Sequence, residues 1–520
     1  MKKYLFIALA ALGFAACTEK GEENAPVQNA ELEQSYVAIT LAADDATRAD
    51  DGKYEAGLEE ERTVKTAYVF FFKDGAAFPV AFDGATSTNA GPNNYLKVAL
   101  TGAEKDLPNV SDVKDAVLVL QNYKGEYPNQ IVAVLNWTPT KASYTLSELK
   151  TQISALQGFE GGFVMSNAVY ADKANQTVDA VDLTIENIGK TAEEALAKPV
   201  TIYVERVAAK VEFTAANNGK FAIEKEVEGK PVYAQIKGFE LYNDYQESWL
   251  IKCINPAWEV GFNWNDYNYF RSYWAQSLGT AFPENTFAWT TDNTEMNGWV
   301  YCGENTRAWT PDADVRTKVV VKAQLVDAEG NPFEVVNWYG KDYIGEENLL
   351  KVVANTLKNT YFYGNAEGTS FTGLTLADIK CVDRLATDAK AYEVYFQLSD
   401  EGVAKTWYKY EGGNYSAISD EELNAALAAV QPALVYNDGM TYYWLDIKHL
   451  GVAGSTAEYG IVRNHVYKVN ITDITGYGTP VYDGTTDFIN LEKPEDIVTY
   501  VSAQINILSW RVVENNYDLN

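Results

Sequence analysis

Period-two alternation of apolar and polar residues recurs along the chain. Residues 36–42 (YVAITLA) put Val37, Ile39 and Leu41 on one face and predict a strand. Further strands are predicted at 66–72 (TAYVFFF), 95–100, 116–121 and 130–135 (QIVAVL), the last three separated by Gly, Pro, Asn and Asp clusters. A helix is predicted over 145–156, where Thr145 and Glu148 have capping-box spacing. A strand at 178–185 follows, then a long apolar signal over 198–213 carried by Val200, Ile202, Val204, Val207 and Val211, near which a domain junction is expected. The second half predicts strands at 232–242, 318–325, 391–397, 406–410, 440–447 and 462–471, and one helix over 420–430 with acids in its first turn. Residues 476–494 read as a linker. After them Val501, Ala503, Ile505 and Ile507 share one parity, and Leu508, Trp510 and Val512 take the other, as in a bulged strand or one buried on different faces along its length. Many short strands between turn clusters point to β-sandwiches rather than alternating βαβ units.

Composition narrows the function classes. A 520-residue chain exceeds what one core supports, so two or three domains are expected. Lys and Arg number 42 against 72 Asp and Glu, a net charge of −30 with no basic run, which disfavours nucleic acid. At 47% hydrophobic and 13% aromatic residues, the chain can build a large core. The first 17 residues, MKKYLFIALAALGFAAC, join two lysines, a short apolar run and a small-residue pair to Cys17. That run is too short for a membrane span of ~20 residues and fits a secretory signal, with Cys17 placed as the acylated residue of a lipoprotein. The polar, acidic stretch 18–33 reads as a tether. Cys253, Cys302 and Cys381 form no CxxC pair; they read as buried small hydrophobes, with one Cys253–Cys302 bridge as the alternative.

No catalytic motif, nucleotide loop or metal-ligand spacing is found, and no cofactor is implied. His449 and His465 lie in no recognisable catalytic pattern; His465 fits a hydrogen-bonding residue at a turn-to-strand junction. Seven tryptophans between Trp249 and Trp309 admit two readings: an insertion packed around its own aromatics, or a surface that stacks sugar rings.

In several ordered strings the chain resembles the shaft subunits (fimbrillins) of the type V pili of Bacteroidia, especially the minor-fimbrium branch. The strings are Cys17 with its signal, Ala46-Thr47-Arg48-Ala49, 131–136 (IVAVLN), 163–167 (FVMSN), 204–211 (VERVAAKV), 301–306 (YCGENT), 462–469 (VRNHVYKV) and the tail with Trp510-Arg511-Val512-Val513. The resemblance implies a mainly β, non-enzymatic protein of two transthyretin-like β-sandwich domains. It further implies export through the periplasm to the outer membrane as a lipoprotein, cleavage by an arginine-specific protease between Arg48 and Ala49, and polymerisation into a surface pilus with anchor and tip subunits. Adhesion and biofilm formation would follow, with the host or bacterial receptor unidentified. The corresponding division is signal 1–17, propeptide 18–48, first domain 49–203, second domain 204–497 with the aromatic-rich insertion, and donor strand 498–520.

The physics of such a cut is legible. Loss of Val37, Ile39 and Leu41 exposes an apolar groove and unpaired strand edges, which another subunit can fill by strand addition. Ile505, Ile507, Trp510 and Val512 are the residues expected to fill it. Four such side chains at ~1.5–3 kcal/mol each give a gross gain of about 6–12 kcal/mol before ordering costs. The alternative reading of the tail is a last strand completing its own domain. Alternatives of role are a glycan-binding surface lipoprotein, or an accessory, tip or anchor pilin.

Overall fold

The computed structural model describes residues 32–44, 53–55, 57–81, 93–98, 101–102, 110–123, 125–156, 160–173, 176–254, 275–279, 289, 297–306, 315–365, 368–383, 392–449, 458–484, 501–509, 511–512 and 514–515. The fold is mainly β, with several sheets and a few short helices. Among the described residues no helix is long and apolar enough to cross a membrane.

The first domain is one strongly bent sheet. Its main path runs Ala76–Ala77, Ala67–Lys73, Gln130–Leu135, Met165–Asn167, Val200–Arg206, Leu32–Asp44, Val110–Tyr123, Thr101–Gly102. The sheet curls until strands from its two ends share a core: Val69 and Phe71 pack in the same cluster as Leu118 and Leu120. A backbone bond from Gln121 N to Val80 O (2.9 Å) helps close the curl. Alternate residues Phe70, Phe72, Val132 and Val134 point the other way, into a second core with Tyr144, Leu149 and Phe163. Burial on both faces explains why TAYVFFF and QIVAVL are nearly continuous in apolar residues.

The second domain is a two-sheet sandwich. One sheet orders Trp299–Cys302, Ala209–Ala215, His465–Ile474, Val501–Ser509, Lys53–Tyr54 and Arg511–Val512; the other orders Lys220–Val227, Lys230–Tyr242, Lys318–Val326, Met440–Asp446 and Thr479–Pro480. Val211, Phe213, Val469 and Ile471 from the first meet Phe239, Val319, Val321 and Tyr443 from the second. The boundary expected at 203/204 falls inside a strand: Val200–Arg206 stays in the first sheet, and the chain changes domain at Val207–Ala208.

Residues 327–439 form an insertion between two strands of the second sheet that are direct neighbours, Lys318–Val326 and Met440–Asp446. It has its own core, where Leu349, Leu350 and Val353 of helix Glu346–Leu357 meet Leu423 and Leu427 of helix Asp420–Ala428, with Phe396 and Trp407. This separate core was not distinguished from the sandwich at the level of sequence.

Local differences have local causes. The helix expected over 145–156 begins as read, with Thr145 and Glu148 closing a capping box, but ends at Lys150 because Ile153–Ala155 pairs with Glu247–Trp249. The strand expected over 178–185 breaks into Gln176–Val178, Val181–Asp182 and a 3-10 turn, Ile185–Asn187, capped by Thr184 and Asn187. Residues 476–482, read as linker, are packed: Tyr477 and Val481 are buried, and Tyr443 donates to Gly476 O at 2.7 Å.

Candidate functional site: the first strand and the domain junction

Leu32–Asp44 runs through the interior of its sheet, not along an edge. It pairs antiparallel with Val110–Tyr123 from Leu32↔Tyr123 to Asp44↔Val110, and parallel with Val200–Arg206 from Ile39↔Val200 to Ala43↔Val204. Val37 and Ile39 are fully buried among Ala116, Leu118, Leu120, Val200 and Ile202. Two side-chain bonds fix the register, Ser35 Oγ to Asn122 Oδ1 at 3.0 Å and Thr40 Oγ1 to Asp115 Oδ1 at 2.7 Å. Leu41 holds the expected strand position, opposite Lys114 and Ile202, though its side chain lies outside the described residues.

Among the described residues this strand alone joins Val200–Arg206 to Val110–Tyr123 along the sheet's path. Taking it away would divide the sheet and leave two facing rows of backbone donors and acceptors beside an apolar slot. Such a slot accepts an extended segment of alternating apolar residues. Cys17, Arg48 and Ala49 lie outside the described residues.

The tail pairs within its own chain. Val501–Ser509 lies antiparallel to His465–Ile474, with Ile505 opposite Val469 and Ile507 opposite Tyr467; its other neighbours include Lys53–Tyr54. Val512 pairs with Lys53, and Trp510 lies outside the described residues. In this conformation the tail is the closing strand of its own domain, the second of the two readings open at the level of sequence.

Where the domains meet, the strings singled out in the sequence come together. Arg206 Nε donates to Glu61 O at 2.8 Å and its Nη1 to Asn464 Oδ1 at 3.1 Å. Lys210 Nζ lies 3.0 Å from Glu61 Oε1, which also accepts from Tyr301 OH at 2.5 Å, while Leu58 N donates to Glu61 Oε2. Arg463 is fully buried and its Nη2 donates to Glu304 Oε2 (2.7 Å), Trp249 O (2.6 Å) and Ser248 Oγ (3.0 Å). Lys252 meets Glu205 at 3.0 Å, both buried. Burial pushes Glu205 above the ordinary carboxyl range, against the opposing pull of Lys252 and Arg463. Burial and the bond to Glu61 raise the Tyr301 phenol.

Asn136 ties IVAVLN to FVMSN. At φ 55° its amide accepts from Lys65 N (2.7 Å) and donates to Thr63 O and Phe163 O (2.8 Å each). Gly162 must stay small there, since a Cβ would come within 2.6 Å of that amide.

Glu61 was missed by sequence reasoning. It sits in Glu59-Glu60-Glu61-Arg62, a run that reads as solvated, yet it is fully buried. His465 is where expected, after Asn464 at φ 57°, with Nδ1 2.8 Å from Arg463 O. Cys253, Cys302 and Cys381 are free; no bridge joins the first two. Cys302 and Cys381 are buried as expected, whereas Cys253 is only half-buried, with Sγ 3.7 Å from Gln276 Oε1; burial raises all three thiols. Of the tryptophan cluster, Trp289 donates from Nε1 to Ala323 O (3.2 Å) and Thr441 O (3.0 Å) against the sandwich, while Trp299 is 41% exposed with Lys210 over its ring. Trp258, Trp264, Trp274 and Trp309 lie outside the described residues.

Residues 434–516 match the family described as major fimbrial subunit protein type IV, fimbrillin, C-terminal. The match spans the strands Met440–Asp446, His465–Ile474 and Val501–Ser509. Solved structures overlap more loosely. A candidate cell adhesion protein of Bacteroides eggerthii is 12% identical, with 91% of this chain and 95% of that one covered at a TM-score of 0.34. A fimbrilin of Porphyromonas gingivalis is 12% identical, with 90% and 96% covered at a TM-score of 0.35. Neither overlap bears on function at these values. No curated protein matches the chain.

Proposed function

We propose that this chain, whose residues 434–516 match the C-terminal fimbrillin family, is a structural subunit of a cell-surface pilus, assembled by strand exchange after a cut between Arg48 and Ala49. One observation carries the reading: among the described residues, strand Leu32–Asp44 is the single link between two halves of a sheet, with Val37 and Ile39 fully buried. Its loss opens a slot of strand length, and burial of Val37 and Ile39 is worth roughly 3–6 kcal/mol to whatever refills it. The refilling segment is the tail of another subunit, with Ile505, Ile507, Trp510 and Val512 as the inserted residues. Its transfer exchanges pairing with His465–Ile474 for pairing with two strand edges, Val110–Tyr123 and Val200–Arg206. Before the cut, Cys17 carries the lipid that holds the precursor at the outer membrane. Partners are further copies of the chain, anchor and tip subunits, and an arginine-specific protease; the pilus serves adhesion and biofilm formation.

The test is to purify the chain without residues 1–17, treat it with an arginine-specific protease, and read the new N-terminus and the particle mass together. An N-terminus at Ala49 with growing detergent-resistant multimers supports the reading, as does loss of growth on deleting 498–520. Normal multimers from Arg48→Ala, or a clean cut that yields only monomers, would overturn it.

A further inference from the structure

The insertion 327–439 carries a sheet of four short strands, in the order Phe371–Gly373, Tyr361–Gly364, Trp407–Glu411, Asn414–Ile418. Its two faces differ sharply. Tyr361, Tyr363, Trp407 and Ile418 pack on the core of the insertion. The opposite parity, set by the pairs Phe362↔Tyr408, Gly364↔Phe371 and Tyr410↔Tyr415, holds Phe362, Phe371, Tyr408, Tyr410 and Tyr415. The remaining positions on that face are Gly364, Gly373 and Ala417, so it has no charged residue. A sheet with one face on a core ordinarily turns polar residues outward. Here Tyr410 and Tyr415 are 39% and 40% exposed, and Phe362, Phe371 and Tyr408 are half-buried.

The rings form one platform. Phe371 lies flat on Tyr415, with centroids 3.8 Å apart and planes within 1°, while Phe362 meets Tyr415 edge-on at 5.1 Å and Tyr408 meets Phe371 edge-on at 5.0 Å. Gly364 keeps room for it, because a Cβ there would sit 2.7 Å from the Tyr408 ring. Phe362 also lines an adjoining cleft of about 400 Å³ with Asn355, Lys358, Asn359 and Thr375, which offer amide, ammonium and hydroxyl groups.

We propose that this face binds an uncharged polysaccharide, stacking its sugar rings on the aromatic platform and hydrogen-bonding its hydroxyls in the cleft. Exposed aromatic surface of this kind marks an interaction site, and rings with phenol groups suit partners that are apolar on one side and wet on the other. Charge selects the partner. The insertion holds 18 acidic and 8 basic residues, so a polyanion or a second copy of the chain meets repulsion that a neutral polymer does not. The proposal does not rest on polymerisation, since the platform lies within one chain.

The test titrates the full chain with laminarin, mannan and dextran, and with polygalacturonate as the charged comparison, by calorimetry and by saturation transfer from ring protons to sugar protons. The expected result is binding of at least one neutral glycan, weakened tenfold or more in Tyr415→Ala and Phe371→Ala, retained in Tyr415→Phe, and unchanged in Tyr339→Ala, an exposed aromatic elsewhere on the insertion. Circular dichroism identifies any variant that misfolds, and Tyr410→Ala then replaces it. No binding to the three neutral glycans, binding only to polygalacturonate, equal binding by Tyr415→Ala, or a Tyr415-dependent dimer in place of glycan binding would each overturn the proposal.

Discussion

The carboxylate of Glu61 lies 3.0 Å from the ammonium of Lys210, and neither side chain is more than 5% exposed. The pair joins the segment leading into strand Ala67–Lys73 of the first domain to strand Ala209–Ala215 of the second. Removing one partner of a buried pair strands the other charge, at a cost of about 3–5 kcal/mol. Lys210→Met should therefore lower unfolding stability in urea by about that much, and Glu61→Leu with Lys210→Met should recover most of it. A single mutant within 1 kcal/mol of the parent would show that Tyr301 and Leu58 hold Glu61 without the lysine.

Ile39 belongs to a strand that the proposed cut discards. Ile39→Ala should cost the uncut chain about 2–5 kcal/mol, the range for emptying a buried aliphatic site. The same change should leave the chain cut after Arg48 unaffected. Thermal unfolding before and after proteolysis reads both, and an equal loss in the two forms would place residue 39 in the retained core.

Ile505 sits opposite Val469 across an antiparallel pair. Such pairs bring Cβ atoms within reach of a disulfide. Ile505→Cys with Val469→Cys should, when oxidised, tie the tail to its own domain. The oxidised protein should then be cut normally and fail to grow, and a reductant should restore growth. Growth in the oxidised state would mean that the tail is not the inserted strand.

Glu205 gives the junction a pH dependence of unusual sign. Its native carboxyl binds a proton more tightly than the ordinary glutamate value of 4.5, so above that value the native state holds more protons than the unfolded chain. The contribution is complete below 4.5 and is lost as pH rises through the raised native value. Glu205→Gln removes this slope. The difference in melting temperature between Glu205→Gln and the parent should move in favour of the glutamine as pH climbs from 4.5 to 7; a constant difference would show that the Glu205 carboxyl binds its proton no more tightly in the native state than in the unfolded chain.

Much of the fold was legible where one physical signal acted alone. A short apolar run between turn clusters located Gln130–Leu135 to the residue, and Ser419 with Glu422 capped the helix read at 420–430. Helix Glu346–Leu357 went unread although Leu349, Leu350, Val353 and Ala354 have helical spacing behind two acids in the first turn. The segment after Gly476 misled because Gly and Thr there serve a packed turn. Gly478 adopts φ 78°, and a Cβ would come within 2.4 Å of Thr441 Oγ1. The junction was half legible: its strings stood out, but Arg206, Glu304, Arg463 and Asn464 meet only through tertiary structure, and no local pattern marks Glu61 as buried. The aromatic sheet face was hidden for a similar reason, since Phe362, Phe371, Tyr408 and Tyr415 come from four separate strands.

The placement of Leu32–Asp44 also sets a timetable. It is the earliest described strand in the chain, yet its partners are residues 110–123 and then 200–204. Contacts this distant in sequence form slowly, because a long loop must close before any pairing repays it. A chain threaded through a membrane from its N-terminus therefore cannot close its first domain in transit. The opening strand waits, unpaired on its second edge, until Ile188–Gly189 and then Val200–Arg206 have followed it.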